Sequence, residues 1–365
     1  MIRHATIADL NRLVQLENQN FQTDRIPRRN FRYLLTQANA TTLVDEEAGQ
    51  LRGYAIILYN RAISLARLYS IVIDSHFRGL GLGQTLLQAS EQDAQENDCI
   101  IIRLEVRRDN PAAINLYRKS GYKQIGILSN YYEDHMEAIH FEKFLVPRLK
   151  PDLKRVPYYR QTLDFTCGPA ALMMAMKTLR PDFTLSREIE LQIWREATMI
   201  FMTSGHGGCG PYGLALAAYQ RGFDVDLYIK NEQWLFIDSV RNPEKKEVLR
   251  FVQQHFHDQL LTLPVRIEYG TLNIGILEKE FEAGHIPVVL ISSYRIYRQK
   301  SPHWIVVTGF DYRYIYVHDS FLDVEEDESL ADNINMPILK KEFERMSRYG
   351  KTGQQAALIL KNRQS

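Results

Sequence analysis

Cysteine is scarce: Cys99, Cys167 and Cys209 are the only three in 365 residues. An odd, sparse set, with no export core in Met1–Leu10, excludes a disulfide scaffold and points to a reducing cytoplasm with free thiols. No CxxC pair occurs and the three lie far apart, which argues against a zinc site and leaves no metal expected. A charge excess is lacking too. The 45 basic residues nearly balance 44 acidic ones, for a net charge of +1, so neither nucleic acid nor a membrane surface is an expected partner. No window reaches the roughly eighteen apolar residues of a membrane span, and no repeat or low-complexity tract occurs. What remains is an ordinary globular composition, 45% apolar and 24% charged, in a chain long enough for two domains.

The densest signal runs from Ile71 to Gly121. Leu68 to Ile73 is a short apolar run closed by Asp74-Ser75 and reads as a buried strand. Arg78-Gly79-Leu80-Gly81-Leu82-Gly83 follows, and then Leu86, Leu87, Ser90 and Ala94 recur at helical spacing. Strand, glycine-rich turn and helix in this order favour a bound phosphate. The glycines admit a ligand close to the backbone, and the helix start offers unpaired N–H groups. A dinucleotide loop has the same shape, and Glu105 at the end of the next strand fills the place of its acidic residue. The next block tips the balance: Asn110, Ala113, Leu116, Tyr117 and Gly121 follow that strand in a tight helical pattern.

The run from Arg78 through Tyr117 resembles the acetyl-CoA site of GNAT-type acetyltransferases, and among them the enzymes that acetylate the N-terminal amine of a ribosomal protein. The resemblance covers roughly residues 2–145. It implies acetyl-CoA as cofactor and a peptide or protein with a free amine as partner. Arg78, Gly79, Gly81 and Gly83, with Gln84 beside them, would hold the pyrophosphate. Ile71, Val72 and Ile73 would lie along the pantetheine arm, with Asn110 on its other side. Acetyl transfer to an amine needs a base for the amine and an acid for the leaving thiolate. Tyr117 matches the family's acid, and Glu105 its base, acting through water. The plainer alternatives are a core aromatic for Tyr117 and a carboxylate paired with Arg103 or Arg107 for Glu105. Asn130-Tyr131-Tyr132 resembles a segment near the acceptor amine, or is an ordinary loop.

Around this site the chain reads as alternating elements. Ile2 to Ala5 is a strand, a helix capped at Thr6 runs to about Asn20, and Phe31 to Gln37 is a second helix. Thr41 to Asp45 and Leu51 to Asn60 form a hairpin. Ile100 to Val106, a helix from Pro111, and strands at Tyr122–Leu128 and Met136–Glu142 complete the set. Val146 to Pro157 then carries three prolines and four basic residues, which reads as an irregular boundary.

The second informative stretch is Tyr158 to Met176. Proline just inside a helix start is well placed, so Cys167-Gly168-Pro169 opens a helix that Ala170 to Met176 makes apolar. Cys167 sits at its N-terminus, where the dipole favours a thiolate. The amide of Gln161, with the Cys167 N–H, offers an oxyanion hole. A thiolate needs a base and the base an orienter. His303 heads the apolar run Trp304–Phe310, and Asp319 ends Tyr314–His318. Adjacent antiparallel strands would set the two side by side. His318 is a rival base, but neighbours on a strand face opposite ways, so His318 and Asp319 cannot both point at one site.

The order Gln161, Cys167, His303, Asp319 is similar to that of papain-like cysteine peptidases, and more narrowly of the double-glycine leader peptidases, over about residues 155–362. His206 to Ala218 partly echoes the Cys167 block. Cys209 there reads as part of a structural loop lining the cleft, with a second reactive thiol, a resolving cysteine or a metal site with His206 as alternatives. Asn231 to Gly270, charged and aromatic, belongs to neither core by pattern.

The expected fold class is α/β of the α+β kind. It comprises a GNAT domain with a mixed central sheet over 1–146, a linker over 147–157 and a papain-like cysteine peptidase fold over 158–365. The expected function is a cytoplasmic bifunctional N-acetyltransferase and cysteine peptidase. Three alternatives stay open: one catalytic domain beside a binding module, an acetyl-CoA sensor, and transpeptidation at Cys167 in place of hydrolysis.

Overall fold

The computed structural model describes residues 1–363 except 61, 147–151, 155, 200–206, 299–300 and 323–329. It divides into two compact units, Met1–Leu149 and Lys150–Ser365.

In the first unit, β1 (Ile2–His4) reaches α1 (Leu10–Asn20) through a 3-10 turn at Ile7–Asp9. The helix expected from Thr6 starts later because Asp9 accepts the Thr6 N–H at 2.9 Å and closes a capping box around that turn. α2 (Arg28–Thr36) begins earlier than expected. Its first turn is Arg28-Arg29-Asn30, polar residues that carry no apolar periodicity. β2 (Ala40–Glu47) and β3 (Gln50–Tyr59) join through Ala48 and Gly49 at φ 49° and 78°, the left-handed pair a two-residue hairpin needs. β4 (Leu65–Ile73), α3 (Leu82–Glu96), β5 (Ile101–Arg107), α4 (Pro111–Lys119), β6 (Lys123–Leu128) and β7 (Ala138–Phe144) complete the unit.

The strand order is β1-β2-β3-β4-β5-β7-β6. Neighbours are antiparallel except β4 and β5, which run parallel and pair only through Leu65–Arg67 against Ile101–Arg103. Beyond that point the sheet opens into a wedge. Strand alternation sends Leu104, Val106 and Phe141 to one face, where Leu86, Leu87, Ile114 and Tyr117 of α3 and α4 cover them. Val44, Tyr54 and Ile56 face the other way, against Leu13, Leu16, Phe31 and Leu34 of α1 and α2. Both helix pairs thus hold the wedge open between two fixed cores.

The second unit contains β8 (Asp152–Leu153), α5 (Cys167–Leu179), α6 (Arg187–Ala197), α7 (Pro211–Gln220), β9 (Phe223–Ile229), α8 (Pro243–Leu261) and β10 (Arg266–Tyr269). After them come α9 (Ile274–Glu282), β11 (Ile286–Ser292), α10 (Tyr294–Tyr297), β12 (Pro302–Phe310), β13 (Tyr314–His318), β14 (Met336–Leu339), α11 (Lys340–Met346) and β15 (Ala356–Asn362). Its sheet runs β10-β9-β15-β11-β12-β13-β14, with β8 also on β12. Cys167 through Met176 are all buried, so α5 is apolar on every side and runs through the core against β11 and β12.

Two expectations need correction. The boundary segment is not wholly irregular: Asp152 and Leu153 pair with Phe310 and Gly309. Two residues on a sheet edge need no alternating run, so no pattern announces them; most of Val146–Pro157's basic and proline residues lie outside the described residues. Asn231–Gly270 does join a core. β10 extends the sheet parallel to β9, and Leu249, Gln253 and Leu260 of α8 are fully buried. The signal was hidden because the inward residue Gln253 is polar; its amide bonds Leu235 N–H at 3.1 Å and Leu235 O at 3.0 Å.

Candidate active sites

In the first unit the glycine loop leads into α3. Gly79 and Gly81 hold φ 81° and 79°, a conformation side chains rarely adopt, and a Cβ on either would point into open space. Gly81 is the N-cap of α3, whose first N–H groups have no partner within the helix. Gly83 lets α3 approach α4: its Cβ would stand 3.4 Å from Leu116. Arg78 and Gln84 are exposed, and Arg78 Nη2 reaches Asn20 Oδ1 at 2.7 Å. Ile71, Val72 and Ile73 end β4 on the wedge side, past the last residue paired with β5. Asn110 caps α4, its Oδ1 accepting the Ala113 N–H at 3.1 Å.

Tyr117 and Glu105 lie on opposite sides of the sheet, Tyr117 in the core that Leu104 and Val106 join and Glu105, between those two, on the other face. Tyr117 is buried among the α4-side apolar residues, with Tyr122 and Phe141 ring centroids at 5.7 and 6.0 Å. Burial pushes its phenol pKa up, and the nearby Tyr132 adds to the effect, so it stays protonated. Glu105 Oε2 accepts Arg67 Nε at 3.0 Å, and Arg67 Nη2 donates to the Tyr131 hydroxyl at 2.6 Å. The partners considered from sequence are otherwise engaged. Arg103 holds Glu142 at 2.7 Å, and Arg107 holds Asp109 and Asp134. Tyr132 sits within electrostatic reach of both Tyr117 and Glu105. Open space beside Gly79 and Gly81, a helix start and a strand edge not paired with β5 together fit a phosphate-bearing, extended ligand.

In the second unit, Cys167 is the first residue of α5, with Thr166 as N-cap. β12 and β13 are adjacent and antiparallel, and they bring His303 Nε2 to 2.5 Å from Asp319 Oδ1. Burial alone would lower the imidazole pKa. The Asp319 carboxylate and the Cys167 sulfur, each by charge and by hydrogen bond, outweigh it and hold the pKa well above the usual histidine range. His303 therefore stands between sulfur and carboxylate as a cation. His318 faces away. Its Nε2 donates to Val156 O at 2.9 Å and its Nδ1 accepts the Asn335 N–H at 2.9 Å. Gln161 Nε2 donates to Leu163 O at 2.9 Å and its Oε1 accepts the Ser320 hydroxyl at 2.9 Å. One amide hydrogen is thus committed to the loop, and a second is carried by the same nitrogen.

A putative [ribosomal protein bS18]-alanine N-acetyltransferase of Bacillus subtilis is 32% identical over 136 residues, 37% of this chain and 89% of the relative. An N-alpha-acetyltransferase of Sulfurisphaera tokodaii is 32% identical over 148 residues, covering 38% of this chain and 88% of the relative. Among solved structures, Ard1 of Thermoplasma volcanium is 26% identical over 40% of this chain and 97% of its own, with a TM-score of 0.37. The acetyltransferase (GNAT) family model matches residues 8–122, and the Peptidase_C39 like family model matches residues 156–361, more than half the chain. The chain belongs to both families, one in each unit. It is an acetyltransferase, and its cofactor is acetyl-CoA.

Several residues of the C39-like unit lay beyond sequence reasoning. Tyr297 donates its hydroxyl to Asp319 Oδ2 at 2.9 Å, and the Phe321 N–H reaches Oδ1 at 2.9 Å. The rings of Tyr297 and Phe321 also enclose that of His303, at 6.1 and 6.4 Å. Glu190 of α6 is fully buried and takes four donors: the Tyr159 hydroxyl at 2.9 Å, the Thr162 N–H and hydroxyl at 2.8 Å each, and the Thr166 hydroxyl. It therefore grips the irregular segment that ends on Cys167. Cys209 lies beside the start of α5, where a Cβ on Gly168 would meet its Cβ at 3.3 Å. Burial, then the neighbouring Cys167, push its thiol pKa well up. Its carbonyl accepts Trp304 Nε1 at 3.1 Å. His206, the metal partner weighed for it, lies outside the described residues, and among those described no His, Cys, Asp or Glu group is arranged to hold a metal.

In the GNAT unit, Arg67 was likewise missed as the partner of both Glu105 and Tyr131. Their contact spans parallel strands and a distant loop, and no local spacing encodes it. Among the described residues no helix is long and apolar enough to cross a membrane.

Proposed function

We propose that the GNAT unit acetylates the free α-amine of a peptide or protein and that the C39-like unit is a cysteine peptidase, so that one chain carries two activities on peptides. The observation that carries the second half is His303, held at 2.5 Å by Asp319 and raised in pKa by the Asp319 carboxylate and then by the adjacent Cys167 sulfur, against the effect of burial.

In the GNAT unit, bound acetyl-CoA supplies an acetyl group activated as a thioester. Gly79, Gly81 and Gly83, with the α3 N–H groups, Arg78 and Gln84, hold its pyrophosphate. The open edge at Ile71, Val72 and Ile73 lines the arm, with Asn110 opposite. Tyr117 keeps a proton on its hydroxyl, as its raised pKa requires of an acid. Glu105, across the wedge, orients the acceptor amine and takes its proton through water. The relatives named as a putative [ribosomal protein bS18]-alanine N-acetyltransferase and an N-alpha-acetyltransferase support an α-amine as acceptor here.

In the C39-like unit the Cys167 thiolate attacks the scissile carbonyl. The oxyanion is met by the Cys167 N–H and the second hydrogen of the Gln161 amide. His303 gives its proton to the leaving amine and then draws one from water to release the acyl group.

Mass spectrometry of a peptide library incubated with the chain and acetyl-CoA tests both halves together. Cleavage lost in Cys167→Ala and a gain of one acetyl group lost in Tyr117→Phe would assign each activity. Cleavage that survives Cys167→Ala would overturn the peptidase reading.

A further inference from the structure

The sheet of the GNAT unit has one position where its two halves are still joined before they part. β4 and β5 pair up to Arg67 and Arg103 and no further. Arg67 is the last residue of β4 on that seam, and its side chain is buried although charged. Its guanidinium spans two elements that do not pair with each other in the sheet, β5 and the loop after β6. Nε meets Glu105 Oε2 on β5 at 3.0 Å, and Nη2 meets the Tyr131 hydroxyl on the loop after β6 at 2.6 Å. The same guanidinium stacks 5.8 Å from the Tyr69 ring of its own strand. Arg103, the residue opposite, holds Glu142 on β7 at 2.7 Å.

We infer that Arg67 is a positioning residue for the acceptor amine. From the apex of the wedge it fixes the Glu105 carboxylate and the Tyr131 loop in one geometry, so that the amine meets both. The inference rests on the proposed role of Glu105. A planar fork suits this work, because its two donor edges point at two acceptors with a fixed angle between them. Lysine offers a single charge on a flexible stem and cannot hold both. Arg67 lies on the acceptor side of the sheet, opposite the α3 and α4 core that carries the glycine cradle and Tyr117. Its effect therefore falls on the peptide and not on acetyl-CoA.

The test uses the full chain and, as substrate, the library peptide that the native protein acetylates fastest. Arg67→Lys keeps the buried charge and so protects the fold, and Tyr131→Phe removes the hydroxyl that accepts the second contact. Steady-state acetylation is measured against the peptide at saturating acetyl-CoA, with acetyl-CoA affinity taken from calorimetry. Arg67→Lys is expected to lower kcat/KM for the peptide about 30-fold, in the range that misplacement of a reacting group produces. Tyr131→Phe is expected to lower it about fivefold, and both leave acetyl-CoA affinity within twofold. A peptide kcat/KM within twofold of native in Arg67→Lys overturns the inference. So does a parallel loss of acetyl-CoA affinity, which makes Arg67 a mere strut of the wedge. Native rates in Glu105→Gln, or no library peptide acetylated at all, bring down the underlying reading and this inference with it.

Discussion

At the scale of single residues, the pair His303 and Asp319 sets a pH dependence whose sign follows from burial and charge. The folded imidazole holds its proton well above the unfolded value of about 6.5. The charged pair therefore stabilises the fold fully below that pH, and the stabilisation fades as pH rises through the folded pKa. Asp319→Asn should lower the melting temperature of the C39-like unit, with a cost at pH 6 approaching the roughly 3–5 kcal/mol of a broken buried pair. The deficit should shrink by pH 10; an equal deficit at both values would refute the charged pair. Glu190 makes a second case. Its carboxylate accepts from the Thr162 N–H and from hydroxyls of Tyr159, Thr162 and Thr166. Glu190→Gln turns a donor toward those donors and should loosen the segment that carries Gln161 and Cys167. Labelling of Cys167 by iodoacetamide should slow about tenfold or more, while peptide acetylation by the same chain stays native and reports that the protein is folded. Cys209, a buried thiol with a raised pKa, should label far more slowly than Cys167.

At the scale of elements, both sites are built on helix starts, and their glycines separate fold from function. Gly49 and Gly81 hold nearly the same φ, 78° and 79°, and neither has an atom within 4 Å of where a Cβ would stand. Gly49→Ala and Gly81→Ala should each cost about 1 kcal/mol in strain. Only Gly81→Glu, which adds a carboxylate at the phosphate cradle, should abolish the rise in melting temperature on adding acetyl-CoA; Gly49→Glu should leave that rise intact. Thermal shift with and without cofactor checks both. The same contrast explains what was legible in the chain. The glycine loop and Cys167-Gly168-Pro169 act through local backbone geometry, so their spacing was enough to place α3 and α5. His303 and Asp319 were legible because adjacent apolar strands with a short connection run antiparallel. Arg67 with Glu105, Glu190 with Thr166 and Tyr297 with Asp319 are contacts between elements distant in sequence, fixed by packing after the fold forms. α2 and α8 were misjudged at their polar residues, where Arg28–Asn30 and the buried Gln253 break the apolar pattern while obeying the helix.

At the scale of the whole molecule, the two chemistries meet in one functional group. In the proposed reading, hydrolysis of a peptide bond at Cys167 releases a fragment with a new α-amine, and an α-amine is what the GNAT unit acetylates. The units are compact separately, Met1–Leu149 and Lys150–Ser365, so each reaction can be removed without the other. A peptide whose own N-terminus is blocked and which lacks lysine offers no amine until it is cut. With native protein and acetyl-CoA, the downstream fragment should appear first free and then heavier by one acetyl group. Cys167→Ala should abolish both products from the blocked peptide yet leave acetylation of the pre-cut fragment unchanged. Tyr117→Phe should let the free fragment accumulate, with acetylation slowed about a hundredfold, the usual scale of a lost acid. Time-resolved mass spectrometry follows all three. If the native protein cuts the blocked peptide but never acetylates the fragment it releases, the two units serve different substrates and the order of reactions proposed here fails.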